Sequence, residues 1–381
     1  MSKAIAIIGG GLAATACAYS LKNDAGQHSV TPVIFEAGER LATGASGNIQ
    51  GIYDPRFQKL RNGVGDYFFA AFKLAFQIFS GIQERTDIGF DPCGTLYLIK
   101  SEDERAYYQA MIENQRLSGD DVRIVSAQEA SAVSRITLRH DALFLPHSGF
   151  VSPALLCAAQ ARDIDVRLSA PVRNLEQRGS GWRVNGEPFD SVIIACGFAA
   201  RYFSGCEWLP LQNVRGQMIV CPANGNSANL ACNINYGGHI SKPVDGLHVI
   251  GSTFQQNDTD LSLRESDNER ILARLKENLP SIAEGMKASR AAAALRTASK
   301  DRVAITGLVP RKGEWTTQKP VFYDNLYLST AHGSYGIISS LASARMISDQ
   351  ILGHAPHFSE ETRKAVAPDR FLYRLERKGR I

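Results

Sequence analysis

The residues best placed to do chemistry stand at the start of the chain. Residues 4–8 are a short apolar run, Gly9-Gly10-Gly11 follows at once, and Leu12-Ala13-Ala14 leads into the helix formers of residues 15–21. Strand, glycine turn and helix in that order build a phosphate site out of backbone. Gly9 lets the chain turn tightly, and Gly11 leaves room for a pyrophosphate to touch the main chain. Ala14 fills a slot where a small residue lets helix and strand pack closely. The helix N-terminus adds unpaired N–H groups and the positive end of its dipole. A glycine pattern alone is a weak signal. Here a second apolar run, residues 31–35, ends at Glu36, about 20–25 residues on, where an acid takes the ribose hydroxyls of an adenosine. The chain opens as a dinucleotide-binding unit.

Positioning such a site takes more strands than two, and the sequence supplies them at wide intervals. Residues 190–197 read as a buried strand running into Gly197, as strands of parallel sheets do at their carboxyl ends. A helix over 153–162 and strands near 166–172 and 182–184 precede it. Residues 324–336 repeat strand and glycine turn, and an apolar helix runs on to about residue 352. Two inserts interrupt this set. Residues 54–147 read as largely helical, with an aromatic stripe (Tyr67, Phe68, Phe69, Phe72, Phe76, Phe79) whose spacing suits packing core better than a cofactor box. Residues 215–300 hold strand-like runs at 216–220 and 246–250 and a polar helix at 266–278, an antiparallel sheet able to wall off a substrate pocket. The expected fold is α/β: a Rossmann-like domain of the GxGxxA type from 1–53, 148–214 and 301–381, with an inserted α+β substrate domain from 54–147 and 215–300.

Bulk composition describes an ordinary soluble globular protein, long enough for two domains. The 381 residues are 44% hydrophobic and 21% charged, and the formal charge of +4 permits a polyanionic partner without demanding one. The seven cysteines are scattered, with no Cys-x-x-Cys pair and no Cys/His cluster, which argues for reduced thiols in a cytoplasmic protein and against bound metal. Gly9-Gly10-Gly11 breaks the one segment that resembles a signal peptide, and no stretch approaches a membrane span.

The loop after Glu36 raises the choice of cofactor. Residues 37–51 are small and glycine-rich, suited to wrapping backbone amides around an extended, permanently bound flavin dinucleotide; the residues alone leave that clamp and a plain surface loop both open. An NAD-dependent dehydrogenase needs only the first glycine turn and leaves the later two unused. The ordered set of glycine turn, Glu36, loop 44–51, strand 190–197 and turn 324–336 resembles the D-amino-acid oxidase/glycine oxidase superfamily of FAD enzymes. Within it, loop 44–51, Val214-Arg215-Gly216-Gln217 and the ending Pro368-Asp369-Arg370-Phe371…Arg374…Lys378-Gly379 resemble the oxidase part of the MnmC family. That resemblance implies FAD and a tRNA substrate presented at its anticodon loop. The implied reaction removes the carboxymethyl group of 5-carboxymethylaminomethyl-(2-thio)uridine at the wobble position, by hydride transfer to flavin N5 and imine hydrolysis, and leaves the aminomethyl base and glyoxylate. The methyltransferase domain common ahead of this oxidase is not in this sequence, which makes a separate methyltransferase a further partner.

The resemblance also assigns residues. The implied cofactor-binding set is Gly9, Gly11, Leu12, Ala13, Ala14, Glu36, Ala45, Ser46, Gly47, Asn48, Gln50, Gly51, Val172, Ala195, Cys196, Gly197, Gly333, Ser334, Tyr335, Gly336 and Ile337. Arg296 matches the segment that supplies the carboxylate-binding arginine, whose planar fork suits that ligand; the plain alternative is a strand-end salt bridge, for instance with Asp301. Arg56 is a second, weaker candidate for the carboxylate. His239, where many relatives carry tyrosine, is the candidate to orient the amine or a water, and Tyr335 replaces a residue often basic in that family. His332 stands beside the third turn. The tail from Arg363 interleaves Arg363, Lys364, Arg370, Arg374, Arg377, Lys378 and Arg380 with Phe371 and Tyr373, as an RNA-binding rim or as the solvated face of a terminal helix. Two other functions fit the same motifs: an oxidase of a free amine such as glycine or sarcosine, and an RNA-binding flavoprotein with structural FAD.

Overall fold

A computed structural model describes residues 2–379. Its first sheet has six strands in the order Ile305–Pro310, Phe322–Thr330, Ser191–Ile194, Lys3–Ile8, Val30–Phe35 and Asp165–Arg167, all parallel except the first pair. The opening strand is central and covered on both faces. Ile5 and Ile7 point into one core, shared with the helices Leu12–Asp24, Gly63–Gln83 and Gly336–Leu352, while Ala6 and Ile8 point into the opposite core with Trp182 and Phe189. This two-sided burial is why the run reads as continuously apolar rather than alternating. Each fully buried isoleucine contributes about 1.5–3 kcal/mol by leaving water.

Helix Leu12–Asp24 is built from small residues, and Ala14, Ala16, Cys17 and Ala18 are fully buried against the sheet and the late helix. The aromatic-rich helix Gly63–Gln83 starts where the Asn62 side chain accepts from the N–H groups of Val64 and Gly65, at 3.0 and 2.9 Å. Its Tyr67, Phe68, Phe72 and Phe79 are buried and Phe69 packs beside them, so five of the six aromatics belong to core, while Phe76 is half-buried against Phe90 and His147.

The second large sheet departs from expectation. Its strands run Gln255–Gln256, Leu211–Pro222, Leu247–Gly251, His239–Ile240, Asn233–Asn235, Thr95–Leu98, Ala142–Leu145 and Arg123–Val125, with Arg290–Ser299 also paired to Leu211–Pro222. Three of these strands lie in the stretch read as largely helical. They are three or four residues long, too short to show a period, and they form because long-range neighbours complete their hydrogen bonds. One junction, Asn233–Asn235 on Thr95–Leu98, is parallel. Near residue 166 the strand is only Asp165–Arg167, and the chain beyond it is irregular.

The terminal segment is also corrected in part. Helix Arg370–Glu376 buries Arg370 and Phe371. Arg370 Nε and Nη2 donate to the two oxygens of Asp301, each at 3.0 Å, and the remaining N–H groups go to the carbonyls of Val366, Ala367 and Val303. Arg374 joins the same carboxylate at 2.6 Å. Lys364, Arg377 and Lys378 stay exposed; Arg380 lies outside the described residues. Among the described residues no helix is long and apolar enough to cross a membrane, and no group of three His, Cys, Asp or Glu could hold a metal.

Candidate active site

The carboxyl ends of the parallel strands open into a cavity of about 800 Å³ that reaches the second sheet. The first glycine turn forms one wall, and each glycine is required for a different reason. Gly9 has φ +119°, and a Cβ there would stand 2.7 Å from the Ala195 carbonyl. Gly10, outside the expected set, lies over the acid: its Cβ would stand 2.5 Å from Glu36 Oε2. At Gly11 the atom met would be Ser46 Oγ, at 2.9 Å. That hydroxyl accepts from the Leu12 N–H at 3.1 Å, so Ser46 satisfies one of the free donors at the helix start. Glu36 is oriented by the Gly38 N–H, which donates to it at 2.6 Å.

The remaining expected residues mostly face the same space: Ala45, Asn48, Gln50 and Gly51 of the loop, Val172, Ala195, Cys196 and Gly197, and the turn from Gly333 to Ile337. Two of the set do not. Ala14 is fully buried in the packing of the first helix, and Gly47 turns toward the Ala42 carbonyl, 2.5 Å from where its Cβ would be. Asp54, Tyr97, Asn213, Asn235 and Ser252 also line the cavity but were not singled out by the sequence. Only Asp54, three residues after Gly51, was within reach of a local motif.

Arg296 crosses the far side of the cavity. It extends from strand Arg290–Ser299 over Gly216 of the paired strand, where a Cβ would lie 2.8 Å from the guanidinium carbon. Nη2 donates to Ser252 Oγ at 2.8 Å, and Nη1 is buried with no partner among the described residues. The strand-end salt bridge with Asp301 is absent, since that carboxylate is taken by Arg370 and Arg374. A guanidinium in a cavity wall with so few partners of its own suits an anionic ligand. Arg56 is not in this cavity's wall; its Nη1 donates to the Arg302 carbonyl at 2.8 Å.

Both histidines line the cavity as neutral imidazoles. Burial, reinforced by the nearby Arg296 charge, lowers His239 to about 4. Burial does the same to His332, which spans Ser329 Oγ and Ser339 Oγ at 3.2 and 2.9 Å and so ties strand end to helix start. In an unfolded chain each takes up a proton near 6.5. Between pH 6.5 and 4 the unfolded chain therefore binds more protons, and stability falls as the pH drops through that window. A loss on the order of 2 kcal/mol for each histidine is expected. Urea unfolding at pH 7.5 and 4.5 checks it, and an equal or higher midpoint at pH 4.5 would exclude it.

This architecture of a glycine-turn nucleotide site facing a buried arginine defines a class. Residues 4–350 match the family described as FAD dependent oxidoreductase, and the chain belongs to that family. It is an FAD enzyme, and the glycine positions that no side chain could occupy, with Glu36 held at their edge, fit that cofactor. The chain is 26% identical over 96% of its length to the tRNA 5-methylaminomethyl-2-thiouridine biosynthesis bifunctional protein MnmC of Legionella pneumophila, and covers 57% of that protein. To the protein of the same name from Paraburkholderia phytofirmans it is 27% identical over 98% of its length, covering 60% of the relative. The chain thus spans about six-tenths of these curated relatives. The crystal structure of glycine oxidase from Geobacillus kaustophilus superposes with a TM-score of 0.78 at 20% identity, over 96% of this chain and 98% of that one.

Proposed function

We propose that this enzyme removes the carboxymethyl group from 5-carboxymethylaminomethyl-(2-thio)uridine at the tRNA wobble position, in the cytoplasm. The observation that carries the reading is Arg296, a cation in the wall of the cavity whose guanidinium has one side-chain hydrogen bond among the described residues, to Ser252, and which suits the carboxylate of a glycine-type secondary amine. The similarity to MnmC proteins supplies the RNA. FAD when bound supplies the two-electron oxidation of the C–H bond between nitrogen and carboxylate. The chain's own residues hold and orient. Glu36 would take the ribose hydroxyls, and the glycine turn with the Ser46 hydroxyl would hold the pyrophosphate. The N–H groups of Gly333 and Ser334, in the turn before the last long helix, and of Gly336 at its start would stabilise negative charge on the bound flavin. His239, neutral beside Arg296, is available to position a water for hydrolysis of the oxidised amine. The aminomethyl base left behind is a substrate for methylation.

A second reading, oxidation of a free small amine, is favoured by one observation: Arg370 and Phe371, part of the expected RNA rim, are buried. Absorbance of the flavin recorded before and after anaerobic addition of substrate separates the two. Bleaching by tRNA carrying the carboxymethylaminomethyl group, and not by glycine or sarcosine, is expected. Bleaching by small amines alone would move the enzyme to free metabolites.

A further inference from the structure

Asp54 follows directly on strand Gly51–Tyr53, and it lines the same cavity as Arg296. The hydroxyl of Tyr97, on strand Thr95–Leu98, donates to one of its oxygens. Arg56, two residues on, sends Nη1 to the Arg302 carbonyl and rests its guanidinium 5.8 Å from the centre of the Phe68 ring. The other titratable groups acting on this corner are the hydroxyls of Tyr107, Tyr108 and Tyr335. Tyrosines cannot supply positive charge, so among the described residues this carboxylate has a hydroxyl donor and no cation as its close partner. Burial pushes its pKa up to about 6, against the lowering effect of the Tyr97 hydroxyl. At neutral pH it is mostly ionised yet short of compensation, which makes it a receptor for a cation entering the cavity. Arg296 lines the same cavity with the opposite charge, and its one side-chain hydrogen bond among the described residues goes to Ser252. His239, lining the same cavity, is held neutral by burial and by the Arg296 charge.

A substrate of the glycine type carries both complements, an ammonium and a carboxylate joined by one carbon. We propose that Asp54 binds the cationic amine of the substrate, oriented by Tyr97, while Arg296 binds its carboxylate. The assignment rests on the reading of this chain as an amine oxidase and adds the group that recognises the nitrogen. It makes the amine, and not the carboxylate alone, a condition of binding.

The test is Asp54→Asn in the FAD-loaded enzyme, because the amide keeps a hydrogen-bond acceptor for Tyr97 and removes only the charge. Ligands are compared in pairs that differ at the nitrogen. Sarcosine is set against methoxyacetate, and an anticodon stem-loop bearing the carboxymethylaminomethyl group against one with oxygen in place of the amine nitrogen. The amines are read as KM for anaerobic flavin reduction, and their oxygen counterparts as inhibition constants. For whichever amine the wild type oxidises, KM is expected to rise about 10- to 100-fold, the loss of one charge-assisted contact. The inhibition constant of its oxygen counterpart is expected to stay within about twofold or fall. Asp54→Glu, which restores the charge, is expected to recover part of the loss. Equal weakening of amine and oxygen ligand, or a change in neither, overturns the role of Asp54 alone. A wild-type enzyme whose flavin neither amine reduces overturns the amine-oxidase reading, and this proposal with it.

Discussion

Arg296→Met is expected to give an enzyme that folds and keeps its flavin but has lost about 10²- to 10³-fold in kcat/KM. A charge-assisted hydrogen bond contributes about 1.5–3 kcal/mol, and a fork that grips a carboxylate makes two. The substitution removes both donors. It does little harm to the fold, because the guanidinium makes one side-chain hydrogen bond, to Ser252, and leaves Nη1 unsatisfied. Methionine fills similar space with flexible apolar atoms, so the unfolding midpoint is expected to hold or rise. Arg296→Lys is expected to recover little, since an ammonium cannot present two parallel N–H groups. Flavin content, urea midpoint and anaerobic reduction rate against substrate concentration give all three quantities. A kcat/KM within tenfold of wild type would remove Arg296 from the site.

The largest expected stability effect lies outside the cavity, at Asp301→Ala. This change leaves the buried guanidinium of Arg370 without its bidentate partner, and breaking a buried pair from one side costs about 3–5 kcal/mol. Asp301 also accepts from Ser299 Oγ at 2.8 Å and from Arg374, so the loss spreads to the turn after the Arg296 strand. Burial raises the Asp301 carboxyl, but the Arg370 guanidinium, then Arg374 and Ser299, hold it well below the usual carboxylate range. Its stabilisation is therefore complete above the unfolded value of about 4 and is lost as the pH falls below that. Urea unfolding at pH 7 should show the full deficit, and the double variant Asp301→Ala/Arg370→Met should regain part of it. A deficit under about 1 kcal/mol would mean that the tail is not held by this pair.

The nucleotide half of the molecule was legible because its signals are local. Gly9 and Gly11 sit within a few residues of the strand and helix they join, and Glu36 ends the very next strand. The same local signature marked the third turn at Gly333 to Gly336. Gly10 was missed because its reason, the approach of Glu36, appears only when two strands lie side by side. Tyr97, Asn235 and Ser252 were illegible for the same kind of reason. Tyr97 and Asn235 meet through a pairing of segments more than a hundred residues apart, Thr95–Leu98 with Asn233–Asn235, and Ser252 is carried in by Leu247–Gly251, paired to residues 218–222. The tail shows the opposite error. A run of arginines reads as a solvated basic face, and nothing near Arg370 in sequence announces that an aspartate 69 residues earlier takes it inside.

The central place of the opening strand has a consequence during synthesis. Lys3–Ile8 finds one neighbour almost at once in Val30–Phe35, but its other edge is completed by Ser191–Ile194. At about 5–20 residues per second, the ribosome needs roughly 10–40 s to deliver that second partner. For that interval Ile5 and Ile7 sit beside an open row of backbone donors and acceptors, the arrangement that recruits foreign strands. The nascent chain is most exposed to aggregation before its first two hundred residues are out, so slowing translation in that stretch would raise the demand for chaperones, whereas a pause after Ile194 would not.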